Sequence, residues 1–137
     1  MANKGKAYSR GLVFTAWLIA LPVGAADLDA NAVRALASGK TWSTDGFGGS
    51  FGRGQAVAFE WRADGAACVR LSGSTGKCDD SGTWKIVDQR ICYEMTWWLK
   101  TYDMMSECFG ITDLGKGTYE AKLRNGSSIM KFTVAPL

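Results

Sequence analysis

The sequence contains no histidine among its 137 residues. Serine triads and cysteine–histidine pairs are therefore excluded, because each needs an imidazole as its general base. Histidine metal sites are excluded for the same reason. The four cysteines are too far apart for a Cys-x-x-Cys redox motif. The sequence therefore predicts a protein that is not an enzyme and has neither a cofactor nor a metal.

Clustered basic charge is also lacking. The chain has 16 basic and 13 acidic residues, but Lys4, Lys6 and Arg10 lie in the first ten positions and every acidic residue lies at position 27 or later. From residue 27 onward, the chain has 13 dispersed basic residues and 13 acidic residues, so its formal net charge there is zero. Because phosphate backbones are bound by clustered basic residues, we expect no nucleic-acid partner.

No apolar run reaches the length of about 20 residues that a membrane-spanning helix needs. The most apolar stretch, residues 11–21, follows the basic residues and precedes small residues of the kind that signal peptidase recognises. This arrangement predicts a cleaved signal peptide over residues 1–26, with cleavage after Ala26 slightly preferred to cleavage after Ala25. Residues 27–137 would then be a single periplasmic or secreted domain with no membrane span.

Four cysteines in an exported chain predict two disulfides. Three pairings are possible, and the strand registers described below favour Cys68–Cys78 and Cys92–Cys108. Residues 27–38 form the only good helix candidate, with Asp29 or Asn31 as its N-cap and Gly39 after its end.

From residue 55 onward, apolar residues alternate with polar ones, and turn signals recur at intervals of roughly ten residues. A three-residue turn at 63–65 pairs Trp61 with Ala67. Asn125-Gly126 predicts a type I′ turn that pairs Tyr119 with Phe132. This pattern predicts a mainly β protein, a small antiparallel β-barrel (lipocalin-like or sandwich) of about seven or eight strands with one short N-terminal helix.

The longest alternation, over residues 90–99, predicts a half-buried strand. Its register places Tyr93 and Trp97 inside, and it places Trp98 and Cys92 outside, with Cys92 opposite Cys108. No carboxylate falls on the inner face, and we expect Asp79-Asp80 to be a solvated turn rather than a calcium site.

The aromatic residues give two candidate sites. The outer one centres on Trp98, which either covers the disulfide or is covered by the N-terminal helix, or else is exposed to bind a protein or a glycan. The inner one is the barrel interior, which is either filled by side chains or holds a small apolar ligand. The outer candidates are Trp98, Tyr102, Met104 and Met105, and the inner candidates are Trp61, Trp84, Tyr93, Trp97 and Tyr119.

The motif layout resembles a known group. Gly39-Lys40-Thr41, a strand ending in Trp61-Arg62-Ala63-Asp64-Gly65, Gly82-Thr83-Trp84, Cys92-Tyr93 and Cys108 together resemble small exported proteobacterial proteins of a domain-of-unknown-function family with a Gly-x-Trp, Cys and Cys layout. The resemblance covers most of residues 27–137 and implies a periplasmic setting with no defined activity. Cys68 and Cys78 depart from that layout.

Three functions fit these features. The first is a non-catalytic periplasmic or secreted protein that binds an envelope component. The second is a proteinaceous inhibitor of a lysozyme or protease, with residues 46–54 and 72–82 as inserting loops. The third is a carrier of a small apolar ligand in the barrel. The expected partner is accordingly a protein, a glycan or a small apolar ligand.

Overall fold

The computed structural model describes residues 25–48, 54–71 and 76–137, together with residues 5, 11–13, 15–17 and 19. The predicted signal peptide lies mostly outside the described residues, as do parts of the loops at 46–54 and 72–82. The elements in chain order are β1 (Ala26–Asp27), α1 (Ala30–Ala37), β2 (Lys40–Phe47), β3 (Gln55–Trp61), β4 (Ala66–Leu71), β5 (Asp80–Val87), β6 (Arg90–Met95), a 3-10 turn (Lys100–Tyr102), β7 (Ser106–Gly115), β8 (Thr118–Lys122) and β9 (Ser128–Pro136).

Strands β2 to β9 form a closed antiparallel barrel of eight strands. Each strand pairs with the next one in sequence, and β9 pairs back with β2. Closure removes the open edges at which an isolated sheet would pair with other chains. The additional strand β1 pairs with residues 112–113 of β7, beyond residues 106–109, which pair with β6. The predicted mainly β barrel with one short α-helix is therefore confirmed.

The predicted hairpin registers are confirmed in the body of the sheet. Trp61 faces Ala67 across β3 and β4. Tyr119 faces Phe132 across β8 and β9. The turn at Asn125-Gly126 is not type I′, however, because only Gly126 has a positive φ there, of 87°. It is a three-residue loop that closes between Leu123 and Ser127, and a bulge after Ala121 restores the register.

Both predicted disulfides are confirmed. Cys68 is bonded to Cys78, and Cys92 is bonded to Cys108. Cys92 and Cys108 face each other directly across β6 and β7, as the predicted register requires. The second bond closes a loop over 16 positions of sequence. A loop of that length corresponds to about 3 kcal/mol in the chain-entropy model.

The helix closes one end of the barrel. It is shorter than predicted, beginning at Ala30, and Asp29 caps it by accepting a hydrogen bond of 2.9 Å from the Ala32 N–H. The helix contacts β2, β5 and β6. Since β2 and β6 lie on opposite sides of the barrel, a helix that touches both lies across its end. Val33 and Ala37 are fully buried there. We call this the helix end.

Aromatic rings fill much of the barrel interior. Trp42 and Phe132 stack with centroids 4.3 Å apart, and Phe59 and Trp61 stack at 5.1 Å. Phe59 of β3 also reaches Tyr93 of β6, at 6.4 Å. Because β3 and β6 are three strands apart on the barrel wall and their rings are still in contact, side chains fill the interior between them.

Candidate functional site

The two adjacent tryptophans have the opposite orientations from those predicted. Trp97, expected inside, is 50% exposed, whereas Trp98, expected outside, is only 3% exposed. The reason is that β6 ends at Met95. Strict alternation applies only within a strand, and the chain turns before it reaches either tryptophan. The assignments of Trp97 to the interior and of Trp98 to the outer surface are therefore wrong.

A buried carboxylate holds the chain where β6 ends. The Asp80 Oδ2 atom accepts hydrogen bonds from the N–H groups of Thr96 (3.1 Å), Trp97 (2.9 Å) and Trp98 (2.8 Å). The Asp80 Oδ1 atom accepts from the Thr96 hydroxyl and from the N–H of Ser81. We call this arrangement the Asp80 clamp. It satisfies three consecutive backbone donors that have left the sheet.

The clamp corrects the prediction for Asp79-Asp80. Asp80 is 4% exposed and is not part of a solvated turn. Burial alone would raise the pKa of the Asp80 carboxyl. The hydrogen bonds from Thr96, Trp97, Trp98 and Ser81 outweigh burial, however, and lower that pKa below its ordinary value. The carboxylate therefore stays ionised, which makes it a strong acceptor for the N–H groups.

The neighbouring carboxylate, that of Asp79, also accepts a hydrogen bond from the backbone. Asp79 Oδ2 accepts a 2.7 Å hydrogen bond from the N–H of Leu71. Within the described ranges, no group of three or more acidic, cysteine or histidine side chains is placed to hold a metal ion.

A close backbone approach brings the clamp together. Gly82 of β5 faces Met95 of β6, and a Cβ added to Gly82 would lie 1.8 Å from the Glu94 carbonyl oxygen. Only glycine therefore allows β5 to lie this near the end of β6. As a result Asp80, two residues earlier in β5, reaches the turning chain.

Trp98 closes the second end of the barrel. Its ring lies 4.9 Å from Phe47, 5.3 Å from Phe59 and 6.2 Å from Tyr93, measured between centroids. These residues come from β2, β3 and β6, so the ring packs between strands from different parts of the wall. We call this the clamp end. Its buried ring leaves no role for Trp98 as an exposed binding residue.

The connection between β6 and β7, residues 96–105, presents aromatic side chains outside the clamp end. Trp97 is 50% exposed and Tyr102 is 52% exposed. The predicted Met104 and Met105 are only partly exposed. The exposed pair is therefore Trp97 and Tyr102, which we call the aromatic connection.

Hydrogen bonds to the backbone of residues 96–105 fix the aromatic connection to the barrel. Leu99 and Asp103 both adopt left-handed conformations, with φ of 64° and 55°, which few non-glycine residues adopt unless the surroundings hold them there. The Tyr93 hydroxyl donates to the Met104 carbonyl at 2.8 Å, and the Met95 N–H donates to the Met105 carbonyl at 2.7 Å. Together with the clamp, these bonds hold both ends of the connection in place.

The other predicted interior residues lie where expected, but they pack against one another. Trp61, Trp84 and Tyr93 are buried, and Tyr119 is partly buried. Trp61 contacts Trp84 at 6.3 Å, and Tyr119 stacks on Phe132 at 5.6 Å. Burial, together with the nearby charge of Glu107, raises the pKa of the Tyr93 phenol, which therefore stays neutral and serves as a donor.

Sequence reasoning missed Asp80 although a signal was present. Asp80 and Gly82 have the same parity as Trp84, which is buried. A strand predicted to begin at Asp80 would therefore have placed a carboxylate in line with the inner face. A buried charge at that position requires several donors, and the turning chain after Met95 supplies them.

Comparison with known proteins found no matching family model, no matching curated protein and no matching solved structure. The resemblance to an exported domain-of-unknown-function family therefore stays an expectation. In the part of the chain that the structure describes, no helix has the length and apolar character needed to cross a membrane.

Proposed function

We propose that this protein is a non-catalytic binding protein of the periplasm or the extracellular space, and that it engages an envelope protein or glycan through Trp97 and Tyr102. Its two disulfides support an oxidising compartment. The signal-peptide pattern over residues 1–26 supports export to that compartment.

The observation that carries this proposal is the half-exposed Trp97 side chain on a fixed backbone. A large apolar ring is normally buried, and Trp and Tyr dominate the residues that contribute most to binding. Because the Asp80 clamp already fixes the backbone of Trp97, little conformational entropy would be lost when a partner binds.

The barrel interior supports surface binding in preference to carriage of a ligand. The predicted lining residues contact one another directly, as in the 5.1 Å stacking of Phe59 on Trp61. A ligand inside the barrel would have to displace these rings. The absence of histidine and the use of Asp80 as a backbone acceptor support a role without catalysis.

Native mass spectrometry of the protein purified from its own periplasm tests this proposal. We expect the wild-type protein to retain a partner, and we expect Trp97→Ala to reduce the retained fraction at least tenfold. Leu114→Ala is the matched control, because Leu114 is another exposed apolar side chain but lies at the far end of β7. It should retain the partner as well as the wild type does.

The identity of the retained mass separates the alternatives. A protein or a glycan that is lost in Trp97→Ala supports the proposal, and a lysozyme or protease among such proteins would identify an inhibitor. A small apolar mass that Trp97→Ala retains would identify a carrier and contradict binding through Trp97. Equal retention of a protein or glycan by both variants would also contradict it.

A further inference from the structure

Three neighbouring strands place Arg90, Gly110 and Lys122 in one row on the outer surface of the barrel. Gly110 of β7 pairs with Lys122 of β8. The Arg90 side chain, from the start of β6, lies beside Gly110, since a Cβ added there would be 3.5 Å from Arg90 Nη1. Neighbouring strands are about 4.8 Å apart, so the backbones of the two cationic residues lie roughly 10 Å apart. Because Gly110 has no side chain, the Arg90 guanidinium lies directly over it.

Arg90, Gly110 and Lys122 line a surface cavity of about 380 Å³. Partly buried Leu28 and Leu123 form apolar parts of its wall. A volume of this size lies in the range of small-molecule sites, which combine apolar walls with a few polar groups. We call this cavity the β7 groove.

Arg90 lacks an acceptor within the described part of the chain. Its Nη1 atom is buried and has no hydrogen-bond partner there, and none of the salt bridges found there involves Arg90. Lys122 differs, because its Nζ lies 3.5 Å from Glu120 Oε1. A buried cationic donor without an acceptor is costly. A guanidinium matches the geometry of carboxylate and phosphate groups.

The acidic residues that line the β7 groove do not neutralise it. Asp27 Oδ1 accepts a 2.6 Å hydrogen bond from the Thr112 hydroxyl, and Asp88 is exposed in the turn between β5 and β6. Arg124 adds a third cation to the lining. Positive side chains therefore outnumber negative ones around the groove by three to two.

We propose that the β7 groove binds a small organic anion. Its carboxylate or phosphate head binds the Arg90 guanidinium on the side of Lys122, and its apolar body lies against Leu28 and Leu123. This site is separate from the aromatic connection, so either proposal can fail without the other.

The test uses the exported protein labelled with ¹⁵N and titrated with sodium hexanoate at constant ionic strength. We expect saturable shifts of the Gly110 amide and the Arg90 Nε–H signals. Hexyl phosphate should produce shifts at the same positions, because it presents the same combination of anionic head and apolar body. Hexan-1-ol, which has the body without the charge, should bind at least tenfold more weakly.

Two variants test the geometry independently. Arg90→Gln removes the cation, and Gly110→Val pushes the Arg90 guanidinium from its place over the glycine without changing any charge. Each should weaken hexanoate binding by about tenfold or more, the factor that corresponds to one charge-assisted hydrogen bond. Arg34→Gln is the matched control, because it makes the same substitution at an exposed position of α1 and should bind hexanoate normally.

Three results would overturn the proposal. They are the absence of any saturable shift, equal binding of hexanoate and hexan-1-ol, and equal weakening in Arg34→Gln and Arg90→Gln. The dispersion of the amide spectrum reports whether Gly110→Val is folded. If it is not, Arg90→Gln alone decides the outcome, because a glutamine on the outer face of β6 does not disrupt the strand.

Discussion

The two ends of the barrel are closed by different means. At the helix end, α1 lies across the opening and buries Val33 and Ala37. At the clamp end, a single ring from an irregular segment, Trp98, fills the space between strands. The first closure is built from regular secondary structure, whereas the second depends on the buried charge of Asp80.

This difference follows from where the backbone hydrogen bonds go. A helix satisfies most of its own N–H groups, so α1 needs only an apolar face and a cap at Asp29. The segment after Met95 has left the sheet and has no such internal partners. Its N–H groups at residues 96–98 are satisfied by one carboxylate, since buried donors must be paired. An irregular closure therefore requires a polar anchor.

Removing the ring at the clamp end should have the largest effect. Trp98→Ala would leave a cavity among Phe47, Phe59 and Tyr93, and truncations of this kind cost about 4 kcal/mol. Urea unfolding at pH 7 measures the change in the free energy of unfolding.

Trp97→Ala is the matched control, because it truncates the same side chain one residue earlier, where it is half exposed. We expect a change below about 0.5 kcal/mol. Similar losses in the two variants would contradict the assignment of Trp98 alone to the closure.

Removing the charge of the clamp should have the next largest effect. Asp80→Asn keeps the shape, but it replaces one acceptor with a donor that faces backbone N–H groups, at a cost of about 2 kcal/mol. The same urea experiment measures this loss at pH 7. Asp103→Asn is the control, because Asp103 is exposed on the same connection and Asn tolerates its left-handed conformation.

The loss in Asp80→Asn should also depend on pH. The pKa of Asp80 is lower in the folded protein than its ordinary value, so the folded state binds this proton less readily than the unfolded state does. The stabilisation is therefore fully present above about pH 5 and is lost as the pH falls through the folded-state pKa. The difference between wild type and Asp80→Asn should shrink as the pH falls from about 5 through the folded-state pKa. A constant difference would contradict an ionised clamp.

The same contrast explains how far the sequence could predict the structure. Hairpin registers such as Trp61 with Ala67, and both disulfides, followed from alternation and turn spacing. The helix itself was predictable, because a candidate cap at Asp29 or Asn31 and a glycine at position 39 mark the ends of a helix; its place across the end of the barrel was not predicted.

The clamp end was not predictable in this way. Trp97 and Trp98 continue an apparent alternation, but β6 ends at Met95. Their orientations are therefore set by Asp80, which lies 17 and 18 positions earlier in the chain. Period-two patterns report which face a strand residue occupies, and they do not report a contact between an irregular segment and a distant carboxylate.

The smallest effect is expected from the cap at the helix end. Asp29→Ala removes the acceptor for the Ala32 N–H, and losses of this kind cost about 1 kcal/mol. Asn31→Ala is the control, because Asn31 is exposed inside the helix, where alanine has the higher helix propensity. Unfolding followed by circular dichroism should show a loss for Asp29→Ala only. The losses of Asp29→Ala and Asp80→Asn should add in the double variant, since α1 and the Asp80 clamp close opposite ends of the barrel; a double variant whose loss departs from the sum by more than about 0.5 kcal/mol would contradict their independence.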